Sequence, residues 1–247
     1  MNQMKLAHPT YQQLLKNIPE IQKYFKVELL DVPDEKFKLV KFTKHISAKA
    51  PLLMLMAGCH GEEPAPPLAI FKNYQQIAKA AEKYRVNLVI YPLVNPWGFS
   101  RNKRFNREGV SCNTNWIHSD GESPAKEIGV IKKDMKKYKP TMFLSMHEDS
   151  ETGESFYFYS FGDQTYEKFL IQAGEKHFPI LKDGSFGDLE IKKGAVYELH
   201  DGTAEDFMSH RGRSTFSCCT ETPLLQPLSK RVQCNTDWIL ELIKRSC

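Results

Sequence analysis

The sequence lacks what would tie it to a membrane or a polyanion. An apolar run such as residues 51–57 falls far short of the roughly 20 residues a membrane helix needs. The N-terminus lacks the apolar core of a secretory signal, so a cytoplasmic location is expected. Charge of one sign is missing too: 34 basic and 30 acidic side chains leave a net +4, which argues against nucleic-acid and membrane-surface partners. Cysteine is sparse. The six (Cys59, Cys112, Cys218, Cys219, Cys234, Cys247) show no CxxC or Cys/His zinc-finger spacing. Adjacent Cys218 and Cys219 point to opposite faces of a strand and are expected to stay reduced. No glycine-rich phosphate loop, internal repeat, low-complexity tract or linker interrupts the chain. A chain of 247 residues buries enough surface to stand without disulfides, and one domain over residues 1–247 accounts for it.

What is present alternates strand and helix. Residues 10–25 have helical periodicity, and residues 26–44 form two alternating stretches around Val32-Pro33-Asp34-Glu35, which predicts a helix and hairpin over 10–44. Residues 52–57 are apolar on both faces, as a central strand under helices must be, and end at Gly58. From Pro64 the period turns helical, with Ile70, Phe71, Tyr74, Ile77, Ala78 and Ala81 on one face. Residues 86–91 read as the next buried strand, and 95–120 as a long irregular loop. A helix is predicted over 123–138 and strands over 141–146 and 155–160. Helices follow over 164–177 and 203–210, then a strand over 214–220 and a closing helix over 227–245. The expected fold is a single α/β domain with a mixed, mostly parallel central sheet covered by helices on both faces, its core in 51–223.

In such sheets, sites form where loops leave the carboxyl ends of strands, and three such ends carry acid, base or metal-type residues. After residues 52–57 come Gly58-Cys59-His60-Gly61-Glu62-Glu63, in which the His60 imidazole and the Glu63 carboxylate, with two residues between them, can converge on one ion. After 141–146 come His147-Glu148-Asp149, and after 214–220 comes Glu221. Two histidines and a carboxylate leave the fourth position of a tetrahedral zinc site open, the catalytic arrangement. Each motif alone also fits an ordinary core or surface residue, and Glu62, Glu148 and Asp149 either orient an imidazole or face solvent.

The ordered set His60-Gly61-Glu62-Glu63, Asn95-Pro96-Trp97-Gly98-Phe99, Arg104-Phe105-Asn106, Asn113-Thr114-Asn115-Trp116, His147 and Glu221 resembles the zinc metallocarboxypeptidases, the small bacterial murein-peptide members most of all. The resemblance implies one zinc held by His60, Glu63 and His147, Glu221 as general base and acid, and Arg104 at the oxyanion. It also implies substrate contacts from Asn113, from Tyr197, and from Glu205, whose carboxylate would favour a cationic group. An alternative for Glu205 is a helix first turn capped by Thr203. Thr114 stands where this family has an arginine for the substrate carboxylate, and threonine cannot form a bidentate salt bridge. Either Arg101 or Arg107 supplies that charge from the same loop, or the substrate has no carboxylate there. The function implied is zinc-dependent cleavage of a peptide amide near the C-terminus, of a murein peptide or a basic residue. The alternatives are an N-acyl amino acid deacylase of the desuccinylase/aspartoacylase type and a non-catalytic peptide-binding protein.

Overall fold

Four parallel strands fill the middle of the sheet, because the segments most apolar on both faces can be covered only there. The computed structural model describes residues 9–114, 116–117 and 125–246. In chain order the elements are α1 (Tyr11–Leu15), α2 (Ile18–Ile21), β1 (Lys26–Asp31), β2 (Lys38–Lys44), β3 (Leu52–Ala57), α3 (Ala65–Tyr84), β4 (Asn87–Tyr91), α4 (Pro96–Phe99) and α5 (Lys126–Met135). They continue with β5 (Met142–Asp149), β6 (Tyr157–Gly162), α6 (Glu167–Gly174), β7 (Gly184–Phe186), β8 (Leu189–Ile191), β9 (Ala195–Tyr197), α7 (Ala204–Ser209), β10 (Phe216–Pro223) and α8 (Leu228–Arg245). The main sheet has the order β1-β2-β4-β3-β5-β10-β6-β9. Strands β4, β3, β5 and β10 run parallel, with antiparallel pairings where β2 meets β4 and where β6 meets β10.

Strict alternation along β3 sorts the core. Leu53 and Leu55 pack with α3, α6 and α8 on one face, while Met54 and Met56 pack with α5 and α7 on the other. The adjacent cysteines of β10 follow the same rule: Cys218 belongs to the α3/α8 side, and Cys219 lines the cleft described below. All five described cysteines are free and buried. Among the described residues, no helix is long and apolar enough to cross a membrane.

The single helix expected over 10–25 is two short ones. Thr10 caps α1 in a reciprocal capping box with Gln13, and Pro19, lacking an N–H, starts a new turn in α2 instead of continuing the first. The long loop contains the short helix α4, capped by the Asn95 side chain accepting from Gly98 N. The helix expected over 123–138 is α5; residues 123 and 124 lie outside the described residues, as does Asn115 of the Asn113–Trp116 motif. Strand β5 runs past Met146 through His147 to Asp149, and the short strands β7, β8 and β9 were not anticipated.

Candidate metal centre and cleft

The site is assembled from the ends of β3, β5 and β10. Beyond Ala57 the chain turns so that His60 and Glu63 come back over the strand ends, and this turn packs directly on the segment 98–104. A Cβ on Gly61 would collide with the Gly98 and Lys103 backbone, so only glycine permits the approach. Gly61 N donates to the Arg104 carbonyl at 3.4 Å, which ties the Arg104 loop to the His60 loop.

His60, Glu63 and His147 are each almost fully buried. Nδ1 of His60 lies 2.6 Å from Glu63 Oε1, Nδ1 of His147 lies 2.9 Å from Glu63 Oε2, and the two Nδ1 atoms are 3.3 Å apart. Ligands at about 2.0–2.2 Å from a tetrahedral zinc stand roughly 3.3 Å from one another. Two imidazole nitrogens turned toward each other with a carboxylate between them therefore fit a cation at their centre. Burial alone would raise the Glu63 carboxyl, but the two imidazoles overcome it and hold it at about 2. Burial alone would lower His147, but the Glu63 carboxylate and Cys59 hold it well above the usual histidine range. This cluster draws positive charge to itself.

Glu221 sits level with His147 across the β5–β10 pairing and level with Tyr157 across β6. Burial pushes its carboxyl well above the usual range; His147 opposes the shift, while Glu63, Asp149 and Glu205 add to it. One of its oxygens, Oε2, has no hydrogen-bond partner. A half-buried carboxyl with a raised pKa beside a metal-type centre suits proton transfer.

A cleft of about 660 Å³ opens from this centre, and its lining includes Arg104, Asn113, Thr114, Glu205 and Glu221 beside His60 and Glu63. Arg104 is half exposed and donates through Nη1 to Glu62 Oε1 at 3.2 Å, with Glu63 Oε1 3.7 Å away. Asn113 Oδ1 is buried without a hydrogen-bond partner, and Thr114 is exposed at the rim. Glu205, in the first turn of α7, is 3% exposed, and its Oε2 also lacks a partner. The Thr203 side chain does not cap α7. Asp206 serves that turn instead, accepting from Gly202 N and pairing with His200.

Two expected substrate residues do not reach the cleft. Arg107 extends to Glu35 at 3.4 Å and lines a separate groove with Arg101, whose guanidinium stacks 4.6 Å from the Trp97 ring. That loop passes over the β1–β2 hairpin, and salt bridging and stacking there draw both cations away. Tyr197 donates to Glu167 Oε2 at 3.0 Å, because on β9 its side chain turns toward α6.

Other residues of the site had weaker signals in the sequence. Tyr157 and Tyr159, two apart on β6, line the cleft beside Glu221, and the Tyr157 hydroxyl donates to Asp149 at 2.9 Å. Their spacing of two was the available clue. Beneath His147, Glu148 accepts from Ala65 N at the start of α3, from Thr222, and from the fully buried Arg231 of α8. Arg231 follows Lys230 in the sequence, and nothing in that order marks it as the buried member.

The family described as the succinylglutamate desuccinylase/aspartoacylase catalytic domain matches residues 49–157, a span that contains His60, Glu63 and His147. No curated protein matches the chain in sequence. Among solved structures, a candidate metallopeptidase from Shewanella amazonensis shares 25% identity at a TM-score of 0.82, over 95% of this chain and 92% of its own. Another, from Shewanella denitrificans, shares 26% at 0.82, over 95% and 89%. A metallo-carboxypeptidase from Pseudomonas aeruginosa, solved with (2-guanidinoethylmercapto)succinic acid, shares 15% at 0.71, over 95% of this chain and 68% of its own, a likeness of fold. The chain carries the zinc carboxypeptidase-like fold common to these metallopeptidases and to the desuccinylase/aspartoacylase catalytic domain.

Proposed function

We propose that the protein is a zinc-dependent hydrolase that cleaves an amide bond near the end of a peptide or peptide-like small molecule, with His60, Glu63 and His147 as metal ligands. The observation that carries this is the meeting of those three buried ligand atoms with a raised-pKa carboxyl, Glu221, level with His147 at the head of an open cleft. A zinc ion, when bound, acidifies a water and polarises the scissile carbonyl. Glu221 takes up a proton at its carboxylate and returns it to the departing amine. Arg104 offers a guanidinium to the oxygen on which negative charge develops. Asn113 and Thr114 bind the substrate by single hydrogen bonds, and Glu205 binds a cationic group. The buried setting of Glu205 and its unpartnered oxygen support that role over a purely helix-capping one.

The match over residues 49–157 favours a second reading, deacylation of an N-acyl amino acid with the same ligands and the same acid–base group. Assaying dipeptides with free and with blocked carboxyl ends beside N-acyl amino acids distinguishes the two. Absence of turnover on every amide by zinc-loaded protein would remove both and leave a binding role.

A further inference from the structure

Nine carboxylates line the cleft, and three are already matched: Glu63 sits between the two imidazoles, Glu62 pairs with Arg104, and Glu148 pairs with Arg231. The other six, Asp149, Glu151, Asp188, Asp201, Glu205 and Glu221, have no ion-pair partner among the described residues. Some accept neutral hydrogen bonds, Asp149 from Tyr157 and Asp201 from Thr203 N, and these bring no positive charge into the cleft. Arg104 is the one lysine or arginine among the described residues lining the cleft, and two carboxylates already hold it. Arg101 and Arg107, the flanking arginines of the same loop, belong to the separate groove.

A buried acceptor inside this field points to what fills it. Glu205 is 3% exposed, lines the cleft, and has an oxygen with no donor. Burial raises the Glu205 carboxyl above its ordinary range, and a ligand that brings a donor and a positive charge to the orphan oxygen removes that cost. A substrate carboxylate in the same space would meet like charge from several sides, and like-charge juxtaposition is a strong means of rejection.

We infer that the amine released from this cleft carries an ammonium or guanidinium group and no carboxylate, so that the substrate is an amide of a diamine, polyamine or similar cation, not of a free amino acid. This rests on the amide-hydrolase reading and names its leaving group. The balanced reaction adds water across the amide: a carbon–oxygen bond forms at the acyl carbon, the carbon–nitrogen bond breaks, and the nitrogen leaves with the proton relayed by Glu221. The products are a carboxylic acid and a free amine.

The test compares cadaverine with lysine, which differ by the carboxylate, and with pentylamine, which lacks the second cation. Calorimetric titration of zinc-loaded protein is expected to show cadaverine binding at least about tenfold more tightly than either, weakening as salt is raised. Glu205→Gln is expected to reduce cadaverine affinity toward that of pentylamine. Should this variant misfold, the exposed Asp201→Asn reports the same loss on a smaller scale. Lysine binding as tightly as cadaverine, or no preference for the second cation, overturns the inference. Turnover of N-acetylcadaverine is measured separately: preferential binding without hydrolysis refutes the hydrolase reading and leaves the charge selectivity standing.

Discussion

Glu221 and His147 occupy the same level of two adjacent parallel strands, β10 and β5, so a proton-handling carboxyl and a metal-type imidazole are held side by side by backbone pairing. Strand register, set by the core on both faces, leaves neither side chain free to drift. Because β10 and β5 run parallel, both residues arrive at the carboxyl end of the sheet, where the His60 loop closes over them.

Substituting Glu221→Gln keeps the shape of the side chain and removes its proton. Amide hydrolysis is expected to fall by about 10²–10⁴-fold, while zinc content stays near one per chain. Elemental analysis beside a kinetic assay checks this; a zinc-loaded variant with undiminished turnover would refute the role of Glu221.

Zinc should stabilise the fold through its ligands. With the ion at 100 times its dissociation constant, the gain is about 2.7 kcal/mol, seen as a raised melting temperature that a chelator reverses. In His147→Ala the shift should disappear. An equal shift in wild type and variant would place the ion elsewhere.

Arg231 and Glu148 form an ion pair with no access to water, so losing one partner strands the other charge. Arg231→Met alone should cost about 3–5 kcal/mol in urea unfolding, and adding Glu148→Leu should recover a large part of it. Additive losses in the double variant would show that the pair does not act as a unit.

Asp134 predicts an acid limb. Burial raises its carboxyl, but Lys137, Lys41 and Tyr91 together hold it below the ordinary aspartate value. A lowered folded-state pKa contributes stability that is present above the unfolded value, about 3.9, and is lost as pH falls through the folded value. Asp134→Asn should therefore be less stable at pH 7 and lose less between pH 5 and pH 2. Parallel stability curves for the two proteins would count against this.

Much of the sheet was legible because β3, β4 and β5 are so apolar that only a central, doubly covered position suits them. The ends of those strands could then be read for chemistry, which singled out His60, Glu63, His147 and Glu221. Short edge elements were not legible: β7, β8 and β9 contain three residues each, too few for a period to show. The fate of Arg101 and Arg107 was equally hidden. The three arginines of residues 101–107 look alike in sequence, and only packing against Trp97 and Glu35 sends two of them away from the cleft while Arg104 turns toward it.

The amino-acid sequence by itself marked the central strands, their covering helices and the groups at the strand ends, because apolarity and period are local properties of a chain. The charge of the cleft was decided by tertiary structure alone. Net +4 over the whole chain gave no hint of it, since the carboxylates of residues 149, 151, 188, 201, 205 and 221 become neighbours only when β5, β10 and the segments after β6 and β9 converge. Electrostatic energy depends on separation in space, and the fold, by bringing these side chains together, turned a balanced composition into an acidic site.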